Sequence, residues 1–162
     1  MKEHVEAWRI AAADPRVHST ITAIFDEAND AVSRHRPLCL ASGRCCRFEE
    51  HGHRLYVTGL EAAWFMRALG ETQGRQLSAD EIREAEDRGD CPLLVSGLCS
   101  VHEIRPFGCR SYFCDPRATW QQEHYEKWHE RIRTLHTTLD LSYFYGEWRS
   151  VLLAITEHSQ PE

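Results

Sequence analysis

The chain has 162 residues, of which 42% are hydrophobic, and this suits one globular domain with its own core. No apolar run approaches the roughly 18 residues of a membrane-spanning helix, and the first residues lack the apolar stretch of an export signal. The net charge of −6, from 19 basic and 25 acidic residues, disfavours a nucleic-acid partner. Together these features predict a cytoplasmic protein that binds neither nucleic acid nor membrane.

The first arm of the chain is predicted to be helical. A short helix fits residues 3–13, and Asp14 followed by Pro15 is a typical start for a second one. Apolar residues then recur at helical spacing until Pro37 ends the pattern; they are Val17, Ile21, Ile24, Phe25, Ala28 and Val32.

The middle of the chain alternates short structured segments with loops. Residues 54–58 are β-like but too few to form a sheet alone. The sequences TGLE at 58–61 and SADE at 78–81 are capping boxes that open helices, which we expect Gly70 and Gly89 to end. Between the later cysteines, Ser96 and Gly97 predict a tight turn.

The second arm is again predicted to be helical. A third capping box, SVHE at 100–103, predicts one or two further turns, and Thr119 is a candidate cap for a long helix. A last helix is expected over residues 142–156. The apolar positions of these two helices are Trp128, Ile132, Leu135 and Leu139, then Trp148, Leu152 and Ile155. We interpret the aromatic residues of this arm as core.

The fold class that follows is mainly α, in a single domain over residues 1–162. Helical arms at 1–36 and 119–158 flank a cysteine core at about 39–114. That core consists of long irregular loops with at most a short β hairpin.

Cysteine is the most informative residue type in this sequence. Disulfides are rare in a reducing cytosol, and an odd number of cysteines would leave one thiol over. Metal ligation or redox chemistry is therefore the better reading. The cysteines form two groups, which are Cys39, Cys45 and Cys46, then Cys91, Cys99, Cys109 and Cys114.

The spacing of these cysteines matches neither a zinc ribbon nor a ferredoxin signature. Their surroundings support metal binding more than the spacing does. Arginines lie within three or four residues of cysteines, and positive charge favours the thiolate that binds metal. Of these arginines, Arg47 and Arg110 are our candidates for contacting a bound group; the others are Arg44, Arg105 and Arg117.

The pattern resembles the zinc- or iron-chelating domain family named for its CxxCxxCC motif, a family of cysteine-cluster proteins related to flagellin lysine methylase. The first segment is CLASGRCC, at residues 39–46. The second is CPLLVSGLC at 91–99, followed by RPFGCR at 105–110 and then Cys114. The resemblance covers roughly residues 39–114 and implies that the two cysteine groups belong to one chelating unit.

Two residues depart from the family pattern. Ser42 replaces the second cysteine of the name motif, and His102 replaces an aromatic residue. His102 therefore joins the seven cysteines as a metal-ligand candidate, and eight candidates are enough for two four-ligand sites. The family also tends to have an acidic residue at Glu61, which makes it a candidate cofactor-binding residue, although its capping box explains a glutamate there equally well.

Three functions stay open at this stage. The first is a protein that holds an iron–sulfur cluster, preferably [4Fe–4S], with an electron-transfer or structural role. The second is a structural zinc module whose helical arms bind a partner protein. The third is a metal-dependent enzyme, such as a protein methyltransferase that uses S-adenosylmethionine.

Overall fold

The computed structural model describes residues 2–39 and 42–158. The helices in this part of the chain are α1 (Lys2–Ala13), α2 (Pro15–Ser33), α3 (Phe48–His51), α4 (Gly59–Gln73), α5 (Ala79–Arg88), α6 (Phe107–Ser111), α7 (Gln121–Thr138) and α8 (Trp148–Glu157). The strands are β1 (Tyr56–Thr58), β2 (Leu94–Val95), β3 (Leu98–Cys99) and β4 (Tyr145–Glu147). The mainly α fold class is therefore confirmed.

The helix starts follow the local sequence closely. Asp14 caps α2 by accepting a hydrogen bond from the backbone N–H of Arg16, and Pro15 is the first helical residue, as predicted. Both of the first two predicted capping boxes are formed, at the starts of α4 and α5.

Helix α4 lies at the centre of the fold. It packs against α1 on one side and α8 on another, and most of its residues from Gly59 to Leu69 are buried. It continues through Gly70, which was expected to end it, and instead stops at Gly74, where φ is +63°. Burial on several sides explains why this helix has no clear polar face in the sequence.

The strands form two small antiparallel pairs. β2 and β3 are joined at Ser96 and Gly97, and both of these residues have positive φ, so the predicted tight turn is confirmed. β1 pairs with β4 across nearly 90 residues of chain, and the backbone N–H of Trp148 also donates to the carbonyl of Leu55 at 2.9 Å. The sequence had assigned β4 to the start of the last helix, and this was wrong.

Two predicted caps are also wrong. Residues 100–104 form a turn rather than a capped helix. Trp120, not Thr119, precedes α7, and no side chain caps that helix. In both places the chain is held by contacts outside the local segment, and a four-residue pattern does not report those contacts.

The buried core joins helices from both arms of the chain. It includes Trp8 of α1, Phe25 of α2, Phe65 of α4 and Trp148 of α8. The second arm also leaves aromatic residues partly outside this core, since Tyr143, Phe144 and Tyr145 are each 38–40% exposed. None of the helices in the described part of the chain is long and apolar enough to cross a membrane.

Candidate metal centre

The two cysteine loops touch through their backbones. Gly43, in the first loop, has φ of +70°, and a Cβ there would lie only 2.1 Å from the carbonyl oxygen of Gly97 in the second loop. Three residues further on, the carbonyl of Cys46 accepts a 2.7 Å hydrogen bond from the backbone N–H of Cys91. A glycine at position 43 therefore lets two distant segments approach closely enough for their thiols to meet.

Cys46 is the centre of a cluster of thiols. Its side chain is buried, and interactions with the thiols of Cys45, Cys91 and Cys99 raise its pKa. Interaction with Cys46 lowers the pKa of Cys45 to about 6, and it does the same for Cys99. The thiolate form that binds metal is thus favoured at Cys45 and Cys99, and the protonated form at Cys46.

A fifth thiol and one cation adjoin this cluster. The thiol of Cys109 is close enough to be affected by the charges of Cys91, Cys45 and Cys99, and burial raises its pKa well above the ordinary value. The positive charge of Arg105 acts in the opposite direction on Cys109, and it also lowers the pKa of Cys45 and Cys99. Arg105 is therefore the guanidinium that faces the thiols.

No carboxylate in the described ranges pairs with Arg105, and its Nε is buried without a hydrogen-bond partner. This is unusual, because a buried polar group normally finds a partner. The charge of Arg105 acts on the thiols of Cys45, Cys99 and Cys109, which gain negative charge when they lose protons. The charge of Arg105 is thus available to balance an anionic thiolate group.

Arg110, a predicted contact for a bound group, hydrogen-bonds to the loop that precedes it. Its Nε donates to the carbonyl of Arg105 and its Nη2 to the carbonyl of Glu103, both at 2.7 Å. Its guanidinium also lies 4.8 Å from the ring centre of Phe25, and burial, then repulsion from Arg105, lowers its pKa to about 10. The structure places Arg110 as a brace for the loop that carries Arg105.

Arg47 lies at the junction of the two loops. Its Nη1 donates to the carbonyl of Ser42 at 3.3 Å, and its Nη2 would be 3.4 Å from a Cβ at Gly97. Its Nε is 3.8 Å from the carboxylate of Glu50. The first cysteine loop is further held by His53, whose Nε2 is 3.1 Å from the carbonyl oxygen of Cys45.

Three predicted ligands have no thiol-cluster contacts in the described structure. Cys39 and Cys114 are exposed, and their neighbours are linked to each other, since the backbone N–H of Leu38 donates to the carboxylate of Asp115 at 3.0 Å. His102 is also exposed as a residue, and partial burial of its ring, then the charges of Arg105 and Arg110, lowers its pKa. The structure therefore brings five of the eight candidates together.

Glu61 is buried, and its carboxylate is hydrogen-bonded to Thr58 and Phe107. Only 2% of the residue is exposed, and burial raises the pKa of its carboxyl. One carboxylate oxygen belongs to the capping box of α4 and the other accepts from the backbone N–H of Phe107. A residue predicted to contact a cofactor is thus hydrogen-bonded to the segment that carries Cys109.

The donor set fits a thiolate-bound metal in its chemistry. Soft sulfur ligands with no oxygen ligand among them suit zinc or an iron–sulfur cluster. The geometry is not yet that of a ligand shell, because no three His, Cys, Asp or Glu side chains within residues 2–39 and 42–158 stand in position to hold one metal ion. Metal binding would therefore require the thiols to lose their protons and to rotate.

A separate groove of about 650 Å³ lies between α1, α4, α5 and α8. Its apolar floor includes Met66, Leu77 and Ile155, and Arg9 and Arg67 lie among its polar lining residues. No cysteine lines it. This groove and the thiol cluster are therefore different places on the molecule.

Comparison with known proteins adds no relative from which residue roles can be transferred. No family model, no curated protein and no solved structure matches the chain.

Sequence reasoning missed two features of the site. The pairing of Arg105 with the thiols was hidden because five arginines flank the cysteines, and only the fold separates the one facing the sulfur atoms. The hydrogen bond from Phe107 to Glu61 spans 46 residues and has no sequence signal. In the sequence RPFGCR, a proline precedes the short helix α6. Proline is common at a helix start, so it is a local indication that the next backbone N–H lacks a partner within the helix.

Proposed function

We propose that this protein holds an iron–sulfur cluster, preferably [4Fe–4S], through thiolates drawn from Cys45, Cys46, Cys91, Cys99 and Cys109. The observation that carries this proposal is the close approach of the two cysteine loops, where the backbone N–H of Cys91 donates to the carbonyl of Cys46 at 2.7 Å and Gly43 lies against the carbonyl of Gly97. Five thiols are available for four positions, and the resemblance to the CxxCxxCC family, which covers residues 39–114, supports the same chemistry.

Arg105 supports an anionic occupant of this site. A cluster bound by four thiolates carries net negative charge, and a guanidinium without a carboxylate partner would balance it. Electron transfer is the role that such a cluster supplies when bound. We expect the protein to act in the cytoplasm, where thiols remain reduced.

Zinc is the second candidate, since four thiolates also suit a structural zinc site that holds two loops together. Both cysteine loops do converge on one place, and a partner protein could then bind the helical arms. Methyl transfer has no specific observation in its favour.

The test is anaerobic purification followed by measurement of iron, zinc and acid-labile sulfide per chain. The proposal expects a brown protein with about four iron atoms and four sulfides. Cys46→Ser should lose this content, because the central thiol is removed. Cys114→Ser is the matched control and should retain it, because Cys114 is not among the five thiols proposed as ligands.

Zinc without iron would select the second candidate. A wild-type chain that binds neither metal, even after anaerobic reconstitution, would reject both. Equal metal loss in Cys46→Ser and Cys114→Ser would show that the ligand set is not the one proposed.

A further inference from the structure

Glu61 connects two parts of the molecule through one carboxylate. Its Oε2 accepts hydrogen bonds from the backbone N–H and the hydroxyl of Thr58, both at 2.9 Å. Its Oε1 accepts from the backbone N–H of Phe107 at 3.3 Å. All three donors lie in the buried interior, so the carboxylate is held in one orientation.

The segment that receives this hydrogen bond is the one that carries the fifth thiol. Phe107 is the first residue of α6, which extends only to Ser111 and contains Cys109. Pro106 precedes the helix, and no side chain of its own caps it. A helix of five residues is unstable by itself, so its position must be imposed by the surrounding protein.

The connection continues to the cation that faces the thiols. Arg110, also in α6, donates to the carbonyls of Arg105 and Glu103. A displacement of α6 would therefore move Cys109 directly and would release the loop that carries Arg105. Both effects would alter the thiol cluster without removing any of its sulfur atoms.

We propose that Glu61 is a positioning residue that fixes α6, and with it Cys109 and Arg105, against the thiol cluster. The expected effect of Glu61 on metal binding rests on the proposed function. Glu61 does not bind the metal itself, because its two oxygens are already engaged by Thr58 and Phe107.

The chain supplies a matched control. Glu81 forms the same capping box with Ser78 at the start of α5, but its other oxygen accepts from the side chain of Arg75 at the protein surface. Glu61→Gln and Glu81→Gln replace the same carboxyl group at the same helical position. Only the first weakens a hydrogen bond to α6.

The first measurement is hydrogen–deuterium exchange in the reduced, metal-free protein. Amides 107–111 should exchange at least about tenfold faster in Glu61→Gln, and at an unchanged rate in Glu81→Gln. The second measurement is zinc affinity by competition with a chromophoric chelator. It should fall about 10- to 100-fold in Glu61→Gln, as is usual when a group that orients a ligand is removed, and change less than about twofold in Glu81→Gln.

Equal exchange of amides 107–111 in the wild type and Glu61→Gln would overturn the proposal. If amides 107–111 exchange faster in Glu61→Gln but the wild-type protein binds no metal, the proposed function is rejected and the role of Glu61 in placing α6 is upheld. If Glu61→Gln does not fold, Glu61→Asp keeps the carboxylate but shortens its reach, and it should show the same local exchange increase with the rest of the chain protected. Unchanged exchange in a folded Glu61→Asp would also count against the proposal.

Discussion

The two capping boxes of this protein are nearly identical in local geometry and opposite in surroundings. The backbone N–H of Thr58 donates to Glu61 at 2.9 Å, and that of Ser78 donates to Glu81 at 2.8 Å. The return bonds, from each glutamate N–H to the hydroxyl, are 3.3 and 3.2 Å long. Yet Glu61 is buried, whereas the side chain of Glu81 is 46% exposed.

Their second oxygens show what this difference means. At Glu81 that oxygen meets Arg75, a cation whose side chain is itself partly exposed. At Glu61 it meets a buried backbone N–H from a distant segment. The capping box by itself fixes only the start of a helix. Where it is buried, its glutamate also hydrogen-bonds to a segment far away in the sequence. The electrostatic consequence follows, because burial raises the pKa of Glu61, while hydrogen bonds from Ser78 lower that of Glu81.

The largest expected difference between the two boxes is in stability. Glu61→Ala should lower the free energy of unfolding of the metal-free protein by about 4 kcal/mol, because it leaves two buried N–H donors unpaired and opens a small cavity. Glu81→Ala should cost only about 1 kcal/mol, the usual value of an exposed cap. Urea denaturation at neutral pH measures both. Equal losses would mean that burial does not separate the two boxes.

A pair of glycines repeats the comparison between an enclosed and an open position. Gly43 and Gly74 have similar positive φ, but nothing lies within 4 Å of a Cβ at Gly74, whereas one at Gly43 would strike the carbonyl of Gly97. Gly74→Ala should cost about 1 kcal/mol for the backbone conformation alone. Gly43→Ala should cost about 3 kcal/mol in all, because the two cysteine loops must also separate.

The same two variants can be compared by thiol alkylation of the reduced protein. Cys46 and Cys91, both 6% exposed in the structure, should react faster in Gly43→Ala and at the wild-type rate in Gly74→Ala. Alkylation rates that match in the two variants would show that the contact of Gly43 with Gly97 does not hold the loops together.

The smallest effect is in the pH dependence of stability, where the two glutamates should have opposite signs. The folded-state pKa of Glu61 is raised above 4.5, so its favourable contribution is present below that pH and is lost as the pH rises through the folded value. The folded-state pKa of Glu81 is lowered, so its contribution is present above pH 4.5 and is lost as the pH falls through the folded value.

Unfolding measured from below pH 4.5 up to neutral pH should therefore show two opposite trends. The stability deficit of Glu61→Gln relative to the wild type should shrink as the pH rises, and that of Glu81→Gln should grow. Tyr125 and Tyr145, whose charges would act on Glu61, stay neutral in this range because burial raises their pKa. Parallel trends would show that Glu61 is solvated in the folded protein.

Local sequence patterns predicted much of the helical framework. Asp14 with Pro15, and the first two capping boxes, each fixed a helix start, because every donor and acceptor involved lies within three residues. The third box, at 100–103, failed although it has the same S-x-x-E spacing as the second. There Ser100 is held by Leu93 and Gln73, so a capping pattern is sufficient only where tertiary contacts leave the segment free to form a helix.

The pairing of β1 with β4 was beyond sequence reasoning. Residues 54–58 looked too short for a sheet because the partner strand is far along the chain. Tyr145 and Gly146 in turn lie beside an apolar helical pattern that extended the predicted helix over them. Strand pairing of this kind depends on the tertiary fold rather than on local propensity.

The sequence predicted the residue types of the candidate site but not which cysteines and which arginine come together there. The cysteines, Gly43 and the flanking arginines are all visible in the sequence. Which thiols meet depends on the contact of Cys46 with Cys91, and which arginine faces them depends on the loop held by Arg110. Cys39, Cys114 and His102 carry the same chemistry but have no contact with those thiols in the described structure, and nothing in their local sequence predicts that.

The β1–β4 pair has a consequence for the order in which the protein assembles. All seven cysteines precede residue 115, yet Thr58, whose hydroxyl and N–H hold Glu61, lies in the strand that pairs with Tyr145. Contacts of such high sequence separation form late and slowly. During synthesis from the N-terminus, every thiol would emerge from the ribosome before this sheet could close, so the nascent chain carries its sulfur atoms for an interval without the scaffold that orders them.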